Sequence, residues 1–187
     1  TDHDAVVRVF SELKDALGGL DRVIVNAGLG KGAKIGSGRP DANLATARTN
    51  FVGALSQAEA ALEIFRAQKY GHLVFVSSIS ADRGLPGPKA VYSASKAGVA
   101  ALGEALASEL AGTDIAVTTL LPGYIATDMS DKAGDSSALT ASLDEGVSAM
   151  LAAIDKESRR AALPGIKWQG IDFALRFLPN QVTDRMV

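Results

Sequence analysis

Apolar residues recur along this chain in two alternating rhythms. After Thr1-Asp2-His3-Asp4, which reads as a helix cap, Val6, Val7, Phe10, Leu13 and Leu17 mark one helical face up to about Leu17, and Gly18-Gly19 ends it. Leu20 to Val25 is then a short β-branched run bounded by Asn26-Ala27-Gly28, the pattern of a strand buried in a parallel sheet. The alternation repeats. Asp41 to Ala67 predicts a helix with Asn50 and Gly53 inside it, closed by Tyr70-Gly71, and His72 to Val76 a buried strand ending in Ser77-Ser78-Ile79-Ser80. Val91 to about Ala111 predicts an alanine-rich helix, and Ile115 to Leu121 a third strand broken by Pro122-Gly123. Ser142 to Asp155 reads as a helix and Ala161 to Gly165 as a short edge strand in which Pro164 is tolerated. Trp168 to Leu178 is an apolar tail, expected to pack as a helix on its own domain or on a partner subunit.

Two loops stand out between these elements. Gly28 to Pro40 holds five glycines and follows a strand's carboxyl end, the edge where open α/β sheets bind ligands. Asp128 to Thr140 is polar and aperiodic, and reads equally as a surface loop or a substrate lid. The alternation of helix and buried strand predicts an α/β fold, a doubly wound parallel sheet in three layers, as one domain over residues 1–187.

Composition narrows the function. Hydrophobic residues make up 47% and aromatic residues 5%, and the 19 glycines suit close-packed helices on a sheet. The net charge of −2 without a basic run argues against nucleic acid. With no cysteine and only His3 and His72, far apart, there is no metal-ligand pattern and no thiol nucleophile. No apolar run approaches a membrane span, and Lys167 and Arg176 give the apolar tail thin basic support for a membrane surface. A cytoplasmic protein is expected.

The chemistry gathers at Tyr92 and Lys96. Four residues apart on a helix, they share one face. A free tyrosine titrates too high to exchange protons efficiently at neutral pH, and a neighbouring cation would lower it. On its own this spacing also fits an ordinary solvated face.

Five motifs in order carry a resemblance that decides the matter: Asn26-Ala27-Gly28; Asn50 in Thr49-Asn50-Phe51-Val52-Gly53; Ser78 in Val76-Ser77-Ser78; Tyr92-Ser93-Ala94-Ser95-Lys96; and Pro122-Gly123-Tyr124-Ile125-Ala126-Thr127. In their order and spacing the chain resembles the single-domain short-chain dehydrogenase/reductase family, with its Rossmann-type fold. The resemblance implies an NAD- or NADP-dependent oxidoreductase interconverting a carbonyl and an alcohol. Tyr92 would be the general acid/base, Lys96 would hold the cofactor ribose and lower the Tyr92 pKa, and Ser78 would hydrogen-bond the substrate oxygen. Asn50 would hold a water linking Lys96 to solvent. Asn26, Ala27 and Gly28 would pass close to the cofactor, with Pro122, Gly123, Ile125 and Thr127 at its nicotinamide end. It also implies a small-molecule substrate and a homodimer or homotetramer.

Two departures qualify it. Ser78 stands one residue further from Tyr92 than the family spacing, which leaves Ser80 as a rival serine. The family's opening strand, glycine-rich turn and helix, which receive the pyrophosphate, have no counterpart here, and the first helix matches the one the family places after its third strand. The expectation is therefore an N-terminally incomplete domain. A truncated, non-catalytic binding domain is the alternative reading, and an epimerase or dehydratase sharing the Tyr-x-x-x-Lys pair is a third.

Overall fold

Four parallel strands form the frame of the structure, a computed structural model that describes residues 2–127 and 139–179. They are β1 (Arg22–Val25), β2 (Tyr70–Val76), β3 (Asp114–Pro122) and β4 (Arg160–Leu163), hydrogen-bonded in that order. The helices are α1 (His3–Leu17), α2 (Pro40–Ala47), α3 (Gly53–Gln68), α4 (Ala90–Glu109), α5 (Leu143–Asp155) and α6 (Gly165–Phe177). The expected three-layer α/β arrangement with a parallel sheet is what the chain forms.

Successive residues of a strand face opposite sides of the sheet, and the core divides accordingly. Leu73 and Phe75 of β2 and Val117 of β3 pack with Ala58, Leu62 and Phe65 of α3 and Val99 of α4. On the other face Val74 and Leu120 pack against Ala153 and Ile154 of α5. A third cluster joins Trp168 and Leu175 of α6 to Ile79, just beyond the end of β2.

Local chemistry explains most boundaries. Asp2 caps α1 by accepting the Ala5 N–H at 3.0 Å, and Gly18 at φ 77° ends it in the left-handed region that favours glycine. Ser142 and Glu145 form a reciprocal capping box at the start of α5. Two predicted boundaries are corrected. The long helix stops at Gln68, with Lys69 in the left-handed conformation, so Tyr70 and Gly71 belong to β2, where they pair with Asp114 and Ile115. The predicted Asp41–Ala67 helix also carries a π-helical turn over Arg48–Val52 between α2 and α3. Most of the predicted segment Asp128–Thr140 lies outside the described residues.

Candidate active site

The strand ends bring the predicted residues to one edge of the sheet. Ser77 anchors the junction: its N–H donates to Leu120 O at 2.9 Å and its hydroxyl to Lys96 O at 2.7 Å, which ties α4 to the end of β2. Ser78 follows in extended backbone and caps the 3-10 turn Ile79–Asp82. Its Oγ accepts the Ser80 N–H at 3.2 Å and the Ser80 hydroxyl at 2.9 Å, and its side chain lies close enough to the Tyr92 phenol to act on its pKa. Of the two rival serines, Ser78 meets Tyr92 and Ser80 stands behind it.

Tyr92 lies in the first turn of α4, and Lys96 lies one turn on, buried, with its Nζ 6.0 Å from the Tyr92 ring centroid. The ammonium donates to Val76 O at 2.7 Å. Gly28, three residues beyond β1, faces it: a Cβ there would lie 3.5 Å from Lys96 Nζ. The glycine thus brings the backbone of the glycine-rich loop against the buried ammonium with no side chain between them.

The electrostatics correct one expectation. Burial raises the Tyr92 pKa; the Ser78 hydrogen bond and the charge of Lys89 pull against it, and Tyr124 adds to the rise. The lowering cation is thus Lys89, in the turn before α4, and not Lys96, which is engaged on Val76. Burial pushes Lys96 itself down to about 8. Lys89 also lies 6.0 Å from the Tyr124 ring centroid, so Tyr92, Lys89 and Tyr124 share one mouth. Nothing in the sequence singled out Lys89 beyond its standing three residues before Tyr92.

Asn50 is buried within the π-helical turn, a local break that aims it across the sheet edge. Its Oδ1 accepts the Leu29 N–H at 2.7 Å, while Nδ2 donates to Leu29 O at 3.1 Å and to Ser95 Oγ at 3.1 Å. The side chain expected to hold a water therefore clamps the glycine-rich loop and reaches α4 through Ser95. Asn26 and Ala27 are exposed at the strand end beside Gly28.

The Pro122 motif is divided. Pro122 pairs with Leu163, and the Gly123 N–H donates to Leu163 O at 2.8 Å, so both sit at the end of β3. Ile125 turns away from the edge to pack on Gly146 of α5, where an added Cβ would meet it at 2.6 Å. Thr127 is exposed at the last described residue before 128. Among the described residues no three His, Cys, Asp or Glu side chains converge to hold a metal ion, and no helix is long and apolar enough to cross a membrane.

Known proteins resemble this chain in sequence and fold. The profile of the short chain dehydrogenase family matches residues 1–138. An uncharacterized oxidoreductase of Mycobacterium tuberculosis (strain ATCC 25618 / H37Rv) is 50% identical over 184 residues, covering 98% of this chain and 72% of the relative. The 3-oxoacyl-[acyl-carrier-protein] reductase MabA of the same organism is 33% identical over 129 residues, 69% of this chain and 52% of that protein. Among solved structures, a short chain dehydrogenase from Burkholderia cenocepacia J2315 in complex with NADP aligns with a TM-score of 0.83 at 28% identity, over 100% of this chain and 77% of that one. An NAD+-bound xylitol dehydrogenase aligns at 0.63 and 27% identity, over 67% of this chain and 48% of that one.

Proposed function

The chain belongs to the short-chain dehydrogenase/reductase family, and from that premise we propose that it is an NAD(P)-dependent oxidoreductase interconverting a small-molecule carbonyl and alcohol with Tyr92 as the proton-exchanging group. The observation that carries this reading is the placement of Ser78 beside the Tyr92 phenol, with Lys96 buried one turn further along α4.

The residues fit the ribose and nicotinamide end of such a cofactor: the Lys96 ammonium lies against Gly28 of the loop that follows β1, with no side chain between them. Lys96 would hold it, with Asn26 and Ala27 alongside and Pro122 and Gly123 at the neighbouring strand end. When bound, the cofactor supplies hydride donation or acceptance at the substrate carbon. The chain's own groups do the rest. Tyr92, protonated at neutral pH and with its pKa raised further by burial, is the acid that protonates a carbonyl oxygen, and the reverse transfer serves alcohol oxidation. Ser78 holds that oxygen next to the phenol and stabilises charge developing on it. Lys96, with its pKa near 8, exchanges protons close to neutrality and completes the path behind Tyr92. Asn50 keeps the loop carrying Gly28 at its distance from α4.

We further propose a cytoplasmic homodimer or homotetramer associating through the helices that carry Asn50 and Tyr92, a reading supported by exposed Leu44 and Val52 on the first of them. Sedimentation checks it: a strictly monomeric protein removes the proposal.

Tyr92→Phe tests the reaction. The variant should melt like the wild type yet lose oxidation of NADPH or NADH with a panel of aldehydes and ketones. A folded variant that keeps the wild-type rate would sink the assignment.

A further inference from the structure

Behind the Ser78 turn lies a charged cluster that the reaction above does not use. Asp82 ends the 3-10 turn that Ser78 begins. Arg160, the first residue of β4, donates from Nη2 to Asp82 Oδ1 at 2.7 Å and to Asp172 Oδ1 of α6 at 2.5 Å. The side chains are mostly withdrawn from solvent, with exposures of 8% for Asp82, 17% for Asp172 and 28% for Arg160. The next residue, Arg83, donates to Leu175 O at 2.5 Å and Leu178 O at 2.7 Å, the terminal carbonyls of α6. Ile79 packs on Trp168 and Leu175 of the same helix.

The turn is therefore held at both ends. One end presents the Ser78 hydroxyl to Tyr92, and the other is fastened to β4 and α6. The Ile79 contact is apolar and non-directional, so alone it would let the turn slide on α6. Charge-assisted hydrogen bonds are short and directional, and they fix its register. Two buried carboxylates on one arginine are costly to build, so an apolar filling would serve stability as well; what such a cluster adds is a defined geometry.

We propose that Asp82 and Arg160 are positioning residues for Ser78, forming with Asp172 a clasp that sets the 3-10 turn so that the Ser78 hydroxyl stays on Tyr92. The inference rests on the reading of Ser78 and Tyr92 given above. The charged groups facing Asp82 are Arg160 from β4, Asp172 from α6 and Arg83 beside it, with Lys156 and Arg176 sharing a cavity wall with Arg160 and Asp172. Burial, with the Asp172 hydrogen bond second, raises Asp82 to about 7. With one proton on the two carboxylates, the trio with Arg160 is neutral. Above about 7 both carboxylates are charged, the hydrogen bond between Asp82 and Asp172 is lost, and their mutual repulsion loosens the clasp.

The test uses the single variants Arg160→Met and Asp82→Asn. Arg160→Met should lower kcat roughly tenfold while leaving the KM for the nicotinamide cofactor unchanged, as misplacement of one catalytic group does. Wild-type kcat should fall as pH rises through about 7, and Asp82→Asn should lose that inflection. Hydrogen exchange gives a reading independent of turnover. The Ser80 and Ala81 amides, bonded to Ser78 Oγ and Ser78 O, should lose protection in Arg160→Met while the β2 amides keep theirs. If the wild type shows no hydride transfer with any substrate, the proposed function fails, and the exchange data still decide the clasp. Unchanged protection at Ser80 and Ala81, a wild-type kcat in Arg160→Met, or an inflection that persists in Asp82→Asn would overturn it.

Discussion

The Ser80 hydroxyl donates to Ser78 Oγ at 2.9 Å, and the Ser80 N–H reaches the same oxygen at 3.2 Å. Two acceptor contacts leave the Ser78 proton available to the neighbouring Tyr92 phenol, so the two serines act in series. Ser78→Ala removes the group that meets a developing oxyanion and should lower kcat by about 10²–10³-fold. Ser80→Ala removes only the hydroxyl that orients it, and a net hydrogen bond of roughly 0.5–1.5 kcal/mol corresponds to a loss of about two- to twelvefold. Steady-state kinetics of both variants decide the order, and a Ser80→Ala defect larger than that of Ser78→Ala would reverse the roles.

Lys96 carries a pH dependence of definite sign. Its pKa falls from 10.5 to about 8 through burial, so between those values the unfolded chain binds more protons than the folded one. Wild-type stability relative to Lys96→Met should therefore rise with pH across that window and level off above it. Urea unfolding at several pH values on either side of 8 measures this. The same substitution should remove any inflection near 8 from kcat/KM and cost roughly 10²-fold in rate.

His72 sets the acid side. Its Nδ1 accepts from Arg22 Nε at 3.1 Å, which leaves the proton on Nε2, 2.9 Å from Thr118 Oγ1. Burial first, and the Arg22 charge second, lower its pKa below the ordinary 6.5. A depressed histidine gives stability that is present above 6.5 and lost as pH falls below it, because the unfolded imidazole then takes up the proton first. His72→Gln should be less stable at neutral pH by about 1 kcal/mol, with a flatter acid limb. A parallel acid limb in the two proteins would count against this account.

What the sequence made legible follows from what pattern can carry. The strands and α4 are visible because burial on a sheet writes apolar runs, and Tyr92, Lys96 and Ser78 are visible because chemistry fixes residue type and spacing along one or two neighbouring elements. The π-helical turn at Arg48–Val52 changes hydrogen-bond register without changing the apolar rhythm, so the role of Asn50 as a clamp on Leu29 stayed hidden. Asp82, Arg160 and Asp172 are charged residues on three elements, each of which reads alone as a surface position; only the chain crossing from β3 to α6 makes them one cluster. The direction of the Tyr92 shift was equally out of reach, since it depends on how deeply the fold buries the phenol.

Gly123 offers a packing prediction that the chain's single tryptophan can report. A Cβ at Gly123 would lie 2.1 Å from the Cδ2 and Cε2 atoms of Trp168, whose ring is 4% exposed and meets Tyr124 edge-on at 5.6 Å. No rotation of a methyl group relieves such a contact, so in Gly123→Ala the indole must move, at a cost of about 1–3 kcal/mol for overpacking. Gly112→Ala is the control: its φ of +85° strains any side chain, but nothing stands within 4 Å, so it should cost only about 1 kcal/mol. Because Trp168 also roots α6 against Ile79, displacing it disturbs the turn that presents Ser78. Gly123→Ala should therefore lose activity at temperatures where it remains folded, while Gly112→Ala should not. Tryptophan emission separates the cases: it should shift to longer wavelength in Gly123→Ala and stay unchanged in Gly112→Ala. An unshifted spectrum in Gly123→Ala would mean that Trp168 does not seat on the Gly123 backbone.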